Sequence, residues 1–206
     1  MNITTTTTSN MVGKNTRVMG QVPGIVLVNP RFAFNVGMAV RLASCYGLSQ
    51  LWFTGERVRL SIEQKGRLPR EERMKGWRNV TMVNNDRPLD LFPSDAVPVA
   101  VEVRANSERL QNFVHPAKAV SMFGPEDGSI PQMFLAKCHR FVIIPTRKSF
   151  CLNLATALAT ILWDRALKLG EVPDEEGGEG GYEDTQPEEM GLFDTLKQLD
   201  RDSHGL

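Results

Sequence analysis

Residues 140–169 read RFVIIPTRKSFCLNLATALATILWDRALKL. A short β-branched and aromatic run, Arg140 to Ile144, is stopped by Pro145. The loop Thr146-Arg147-Lys148-Ser149-Phe150 is basic and polar, and Cys151-Leu152-Asn153 leads into a helical pattern with Asn153 where a cap belongs. From there to Leu169, one face carries Leu154, Ala157, Leu158, Ile161, Leu162 and Leu169. The other shows Ala155, Thr156, Ala159 and Thr160, small enough for a second helix to approach closely. Strand, polar loop and capped helix in direct succession are the repeating unit of an α/β fold.

The same alternation extends upstream. Further strands are expected at Gly24–Val28, Gln50–Phe53, Val80–Val83, Val97–Val103 and Ala119–Phe123. All are short and apolar throughout, as expected of strands buried on both faces by crossover helices. Between the first two lies a helix of about three turns, expected to be capped by Asn35 and stopped by Gly47, with Val36, Val40, Ala43 and Gly47 as its inner stripe. The fold class is α/β with a mainly parallel sheet flanked by helices.

The ends differ in composition. Residues 1–20 are Thr- and Asn-rich and are expected to be unordered. From Glu171 onward 12 Asp and Glu stand against only Lys197 and Arg201, and the rest of the chain holds 22 basic and 12 acidic residues. Residues 171–206 therefore read as an acidic, flexible tail, with a short amphipathic helical pattern on Met190, Leu192, Phe193, Leu196 and Leu199, and 21–170 as the folded domain. A body with a net charge near +10 suits a polyanionic partner, because Lys and Arg gain affinity by releasing phosphate counterions; a solvated surface balanced by its tail accounts for it as well. No apolar run is long enough to span a bilayer, and the N-terminus lacks a secretory pattern, so a cytoplasmic protein is expected. Three cysteines without C-x-x-C spacing signal neither a disulfide framework nor a metal site.

No G-x-G-x-x-G, Walker-type or G-x-S-x-G motif is present, which removes the main support for dinucleotide, nucleotide-hydrolase and serine-hydrolase chemistry. Three segments at strand ends remain, where α/β sheets place their ligands. The first is Asn29-Pro30-Arg31-Phe32-Ala33-Phe34-Asn35-Val36-Gly37 with Arg41 beyond it. An Arg near helix-start amides suits a phosphate and a ribose; an ordinary capped helix with a surface Arg fits equally. The second is Phe123-Gly124-Pro125-Glu126-Asp127-Gly128-Ser129-Ile130-Pro131, where Gly124 admits a ligand to the backbone and Pro131 suits a first helical turn. A solvated Glu126 in a common turn is the plain alternative. The third is the 140–153 stretch, in which Cys151 reads as a buried structural thiol, with no His near it in sequence.

In order and spacing, N-P-x(4)-N-x-G-x(3)-R from Asn29, F-G-P-E from Phe123 and I-P-x(5)-C-L-N from Ile144 resemble the three motifs of the SpoU/TrmH-like branch of the SPOUT RNA methyltransferases. The resemblance runs from about Ile25 to Arg165. Two departures affect loop shape: Ser129 stands where the family usually has Gly, and Cys151 where Ser is common.

The resemblance implies a C-terminal deep trefoil knot, a homodimer, no metal, and S-adenosylmethionine as cofactor. The cofactor would be held near Glu102, Val103, Gly124, Ile144, Cys151 and Leu152, with Asn153 bracing the turn. It also implies methyl transfer to a ribose 2′-hydroxyl. Arg41 would orient the ribose and phosphate, since a guanidinium keeps its proton in proteins. Glu126 would hold an Arg fork, and Asn35 would orient Arg41 or a phosphate. The RNA-facing stretch is expected between Arg57 and Arg78, with eight Lys/Arg, three Glu and Trp77; a solvated basic helix is the alternative. By analogy with minimal family members, structured RNA with tRNA ahead of rRNA is the expected substrate. A knotted RNA-binding or scaffolding protein without catalysis is the competing reading.

Overall fold

The computed structural model describes residues 11–12, 18–58, 79–148 and 151–172. The chain divides into two compact units, Met1–Leu169 and Gly170–Leu206, and the elements below belong to the first. They are β1 (Met11–Val12), β2 (Gly24–Leu27), α1 (Ala33–Cys45), β3 (Gln50–Phe53), β4 (Thr81–Asn84), β5 (Val97–Val101), β6 (Glu108–Arg109), β7 (Ala119–Phe123), α2 (Gln132–Leu135), β8 (Arg140–Ile143) and α3 (Leu154–Leu169). The strands form one sheet in the order β1-β4-β3-β2-β7-β5-β8-β6, every pair parallel.

Alternation along the strands builds two cores. Ile25 and Leu27, with Leu51, Phe53 and Phe123, face α1 and α3 and meet Val36, Val40, Leu158 and Ile161. Val26 and Val28, with Trp52, Val83 and Met122, face the other way and pack on Phe92, Phe134 and Leu135. The Trp52 and Phe92 rings lie 5.2 Å apart and tilted. Burial on both faces explains why these strands read as unbroken apolar runs.

Several boundaries differ from the sequence reading. Met11–Val12 pairs with β4 within the segment expected to be unordered, and Gly20 donates to Leu91 O at 2.8 Å. Strand β5 ends at Val101 because the chain turns on Glu102, whose Oε1 accepts from Val103 N at 3.0 Å while its carbonyl takes Ser107 Oγ at 2.8 Å. Helix α1 starts at Ala33, three residues earlier than expected, with Phe32 at the cap position and no side-chain cap bond. It stops where expected, at Gly47, whose φ of +68° a side chain would resist.

Helix α3 docks through an unexpected polar seam. His115 is buried and its Nε2 lies 2.8 Å from Asp164 Oδ2. Lys168 reaches Asp164 and donates to the carbonyls of Leu110 and Phe113, and buried Arg165 donates to Ala117 O. Burial pushes the His115 pKa down, partly opposed by Asp164. The outer face of α3 also differs from the expected stripe. Ala155 is buried and Leu169 exposed, and the outward residues include Thr156, Trp163 and Leu167. No helix among the described residues is long and apolar enough to cross a membrane. The amphipathic pattern after Met190, the acidic tail and most of the basic stretch after Arg57, Trp77 included, lie outside the described residues.

Candidate active site

Two of the three motif segments, those of Gly124 and of Cys151, wall a cavity of about 350 Å³ at the carboxyl ends of β5, β7 and β8. That is within the roughly 300–1,000 Å³ of small-molecule sites. Its wall takes Val101, Glu102 and Val103 from β5 and its exit, Gly124, Pro125, Glu126, Gly128 and Ser129 from the loop after β7, Ile143 and Ile144 from β8, and Cys151, Leu152, Leu154 and Ala157 from the start of α3. Six of the seven residues expected to hold a cofactor line it: Glu102, Val103, Gly124, Ile144, Cys151 and Leu152. Val103 and Leu152 keep much of their surface exposed, offering an apolar rim to a flat ligand. The Glu102 carboxylate is already engaged, since its Oε2 accepts from Ile130 N at 2.9 Å and so ties the β7 loop to the end of β5. Gly124 is needed by that loop itself, because a Cβ there would stand 3.1 Å from Ile130 N.

Asn153 does not line the cavity; it joins the motifs. Its Oδ1 caps α3 by accepting from Ala155 N at 2.8 Å, and its Nδ2 donates to Asn35 Oδ1 at 3.1 Å. The Nδ2 of buried Asn35 in turn donates to Glu126 Oε1 at 2.7 Å. Glu126 completes the chain by accepting from the two amides just before α1, Arg31 N at 2.6 Å and Phe32 N at 3.3 Å. A carboxylate against a helix start is favoured by the helix dipole and satisfies donors with no partner inside the helix. The structure thus corrects two local readings. Asn35 does not cap α1, because it lies inside the first turn of the helix and stands as the buried link between Asn153 and Glu126. Glu126 carries no Arg fork among its hydrogen bonds; it takes backbone amides.

Arg41 lies two turns into α1, half-exposed, with no hydrogen bond or ion pair among the described residues. It does not line the cavity of its own chain, and Asn35, whose ends are both occupied, does not orient it. The helix-start amides, expected to be open to a ligand, are filled by Glu126.

A second polar group, absent from the sequence reading, sits beside this relay. Arg57 donates through Nε to Asn29 Oδ1 at 3.2 Å, through Nη2 to Asn29 O, and through Nη1 to Asp127 Oδ2 at 2.9 Å. These bonds hold the Asp127 carboxyl below the usual carboxylate range. Asn29 adopts φ +45°, tolerable for Asn, and donates its N–H to Thr54 Oγ1 at 2.9 Å. Gly55 is required beside it, with φ +76° and room for a Cβ only 2.3 Å from Asn29 Oδ1. Gly55→Ala is expected to destabilise the fold by about 1–3 kcal/mol, from positive-φ strain and displacement of Asn29. Urea unfolding checks this; a midpoint equal to the parent's would show that Asn29 moves aside without loss.

The thiols divide differently from expectation. Cys151 is exposed on the cavity wall, and Cys138 is the buried one, its pKa raised to about 11 by burial. Among the described residues no cluster of His, Cys, Asp and Glu could hold a metal ion.

The profile of the SpoU rRNA Methylase family matches residues 23–163, and the chain belongs to that family. Solved structures share the fold at low identity. One, from work on the 2-OH methylation of C/U34 on tRNA, is 22% identical with a TM-score of 0.58 over 72% of this chain and 97% of its own. The TrmH/SpoU tRNA modifying enzyme of A. aeolicus is 15% identical, with a TM-score of 0.59 over 72% of this chain and 75% of its own. The SpoU methyltransferase AviRb from Streptomyces viridochromogenes, in complex with AdoMet, is 18% identical, with a TM-score of 0.55 over 75% of this chain and 63% of its own. No curated protein matches.

Proposed function

We propose that this chain transfers a methyl group from S-adenosylmethionine to a ribose 2′-hydroxyl of structured RNA, with tRNA ahead of rRNA. The observation that carries the reading is the cavity walled by the second and third family motifs, to both of which the first is tied through the hydrogen bonds of Asn35. Its size, apolar rim and backbone-rich wall fit the cofactor. S-adenosylmethionine supplies a methyl made electrophilic by its sulfonium charge, so the chain's own task is positioning. Val103 and Leu152 would enclose the flat end of the cofactor, and the Asn153–Asn35–Glu126 relay would keep the loops around it in register. The structure tied to 2-OH methylation of tRNA, 97% of whose length this chain covers, favours tRNA.

Arg41 would orient the ribose and the adjacent phosphate, and it reaches a cavity only in a homodimer. The α1 stripe Phe34, Met38 and Arg41 and the α3 stripe Thr156, Trp163 and Leu167 suit such an interface, with Phe34, Trp163 and Leu167 more than half exposed. A trefoil knot formed by the chain after β7, a folded domain spanning 21–170 and a cytoplasmic location belong to the same reading. Calorimetric titration with S-adenosylmethionine tests it against a non-catalytic binder: micromolar binding supports the enzyme, and no heat under saturating conditions overturns it. Trp163→Glu is expected to shift the chain from dimer to monomer in sedimentation and to lower methyl incorporation at least about tenfold, because a charge would be desolvated at the interface. An unchanged dimer would remove α3 from the interface.

A further inference from the structure

We propose that Asp127 occupies the place of a backbone phosphate of the RNA substrate on the Arg31–Arg57 pair and gives way to that phosphate when RNA binds. The proposal rests on the RNA-modifying reading above and locates one contact within it.

Arg57 is built in rather than merely exposed. Two edges of its guanidinium are fixed by Asn29, through Oδ1 and the main-chain carbonyl, in a turn that needs Gly55. Only the Nη1 side is turned towards Asp127, at 2.9 and 3.1 Å from its two carboxylate oxygens. Arg31 Nη1 comes to the same Oδ2 at 3.5 Å, so two cations share one anion. A guanidinium fork accepts carboxylate and phosphate in the same geometry.

The side chains of Arg31, Arg57 and Asp127 are 54%, 34% and 40% exposed, and ion pairs this open to water contribute little to stability, so exchange is cheap. Glu126 next door shows the contrast. It is half-buried on two backbone amides and on Asn35, and it stays. The Arg31 guanidinium lies 5.2 Å from the Phe32 ring centroid, and that ring is half exposed, leaving a face on which a flanking base can stack. Asp127 belongs to the loop whose Gly128 and Ser129 line the cavity, so a phosphate here would sit at the edge of the methyl-donor site. A tethered carboxylate in that place screens the pair from RNA in general and yields only to a phosphate held there by other contacts.

The test is filter binding of unfractionated tRNA to the full chain between about 50 and 200 mM KCl, with thermal unfolding and S-adenosylmethionine calorimetry run on every variant. Asp127→Asn is expected to tighten binding about three- to tenfold at the low-salt end and to steepen the slope of log K against log salt by about one. Arg57→Gln should weaken binding about tenfold and flatten the slope by a similar amount, and Arg31→Gln serves if that variant does not fold. In Asp127→Asn/Arg57→Gln the gain from removing the carboxylate should vanish. Binding that weakens or stays level in Asp127→Asn overturns the proposal, since Asp127 would then hold the arginines in place. Unchanged tRNA affinity in Arg57→Gln overturns it too. Each of these results, obtained with cofactor binding intact, leaves the methyltransferase reading standing, whereas loss of cofactor binding in the parent chain sinks that reading instead.

Discussion

Arg41→Ala is expected to lower methyl transfer by at least about a hundredfold while leaving the thermal transition and cofactor affinity close to those of the parent. The geometry behind this is simple. Arg41 is half-exposed and has no hydrogen-bond or ion-pair partner among the described residues, so its removal breaks no polar contact there. A guanidinium that orients the ribose and neutralises charge developing on the attacking oxygen acts in the transition state, where misplacement by even an ångström is expensive. Arg41→Lys should not rescue the rate, because an ammonium keeps the charge but loses the planar fork. Single-turnover methylation of unfractionated tRNA, read beside S-adenosylmethionine calorimetry, separates the two effects. Near-parental turnover in Arg41→Lys would reduce Arg41 to a point charge, and a large fall in cofactor affinity would place it in the binding wall.

Glu126→Ala should be the most disruptive change to the site's frame. It leaves the Asn35 Nδ2 buried without its acceptor, while Arg31 N and Phe32 N, just before α1, lose theirs. Loss of these hydrogen bonds together with an unsatisfied buried donor costs about 2–4 kcal/mol, which lowers the melting temperature by roughly 5–12 °C in a domain of this size. Glu126→Gln should recover part of this, because its single carbonyl still accepts while its amide faces donors. Cofactor affinity should fall with stability in Glu126→Ala, as the same loop forms the cavity wall. A variant with parental stability would mean that water or a neighbouring group replaces the carboxylate at the helix start.

The relay also explains why local sequence signals misassigned Asn35. An Asn a residue before an apolar, helix-periodic run is the ordinary mark of a cap. Asn35 instead bonds Glu126 and Asn153, 91 and 118 positions away, and nothing in its neighbourhood announces them. The Arg57–Asp127 pair, 70 positions apart, was hidden for the same reason. Cys151 was misread because burial depends on what packs over a residue, and there the neighbour is a cavity.

Six of the eight strands described and both long helices were legible from residue order alone; the two-residue β1 and β6 were not. Unbroken β-branched runs bounded by Gly and Pro mark strands buried on two faces, and α3 runs from a cap at Asn153 to Gly170 at φ +66° as its pattern implies. Those signals are local, carried by backbone preference and by periodicities of two and 3.6 residues. The order of strands in the sheet, the meeting of two motifs at one cavity, and the partners of Asn35, Glu126 and Asp127 are different in kind. Each depends on hydrogen bonds and packing between segments far apart in the chain, which leave no periodic trace in it, so only the folded arrangement decides which donor finds which acceptor.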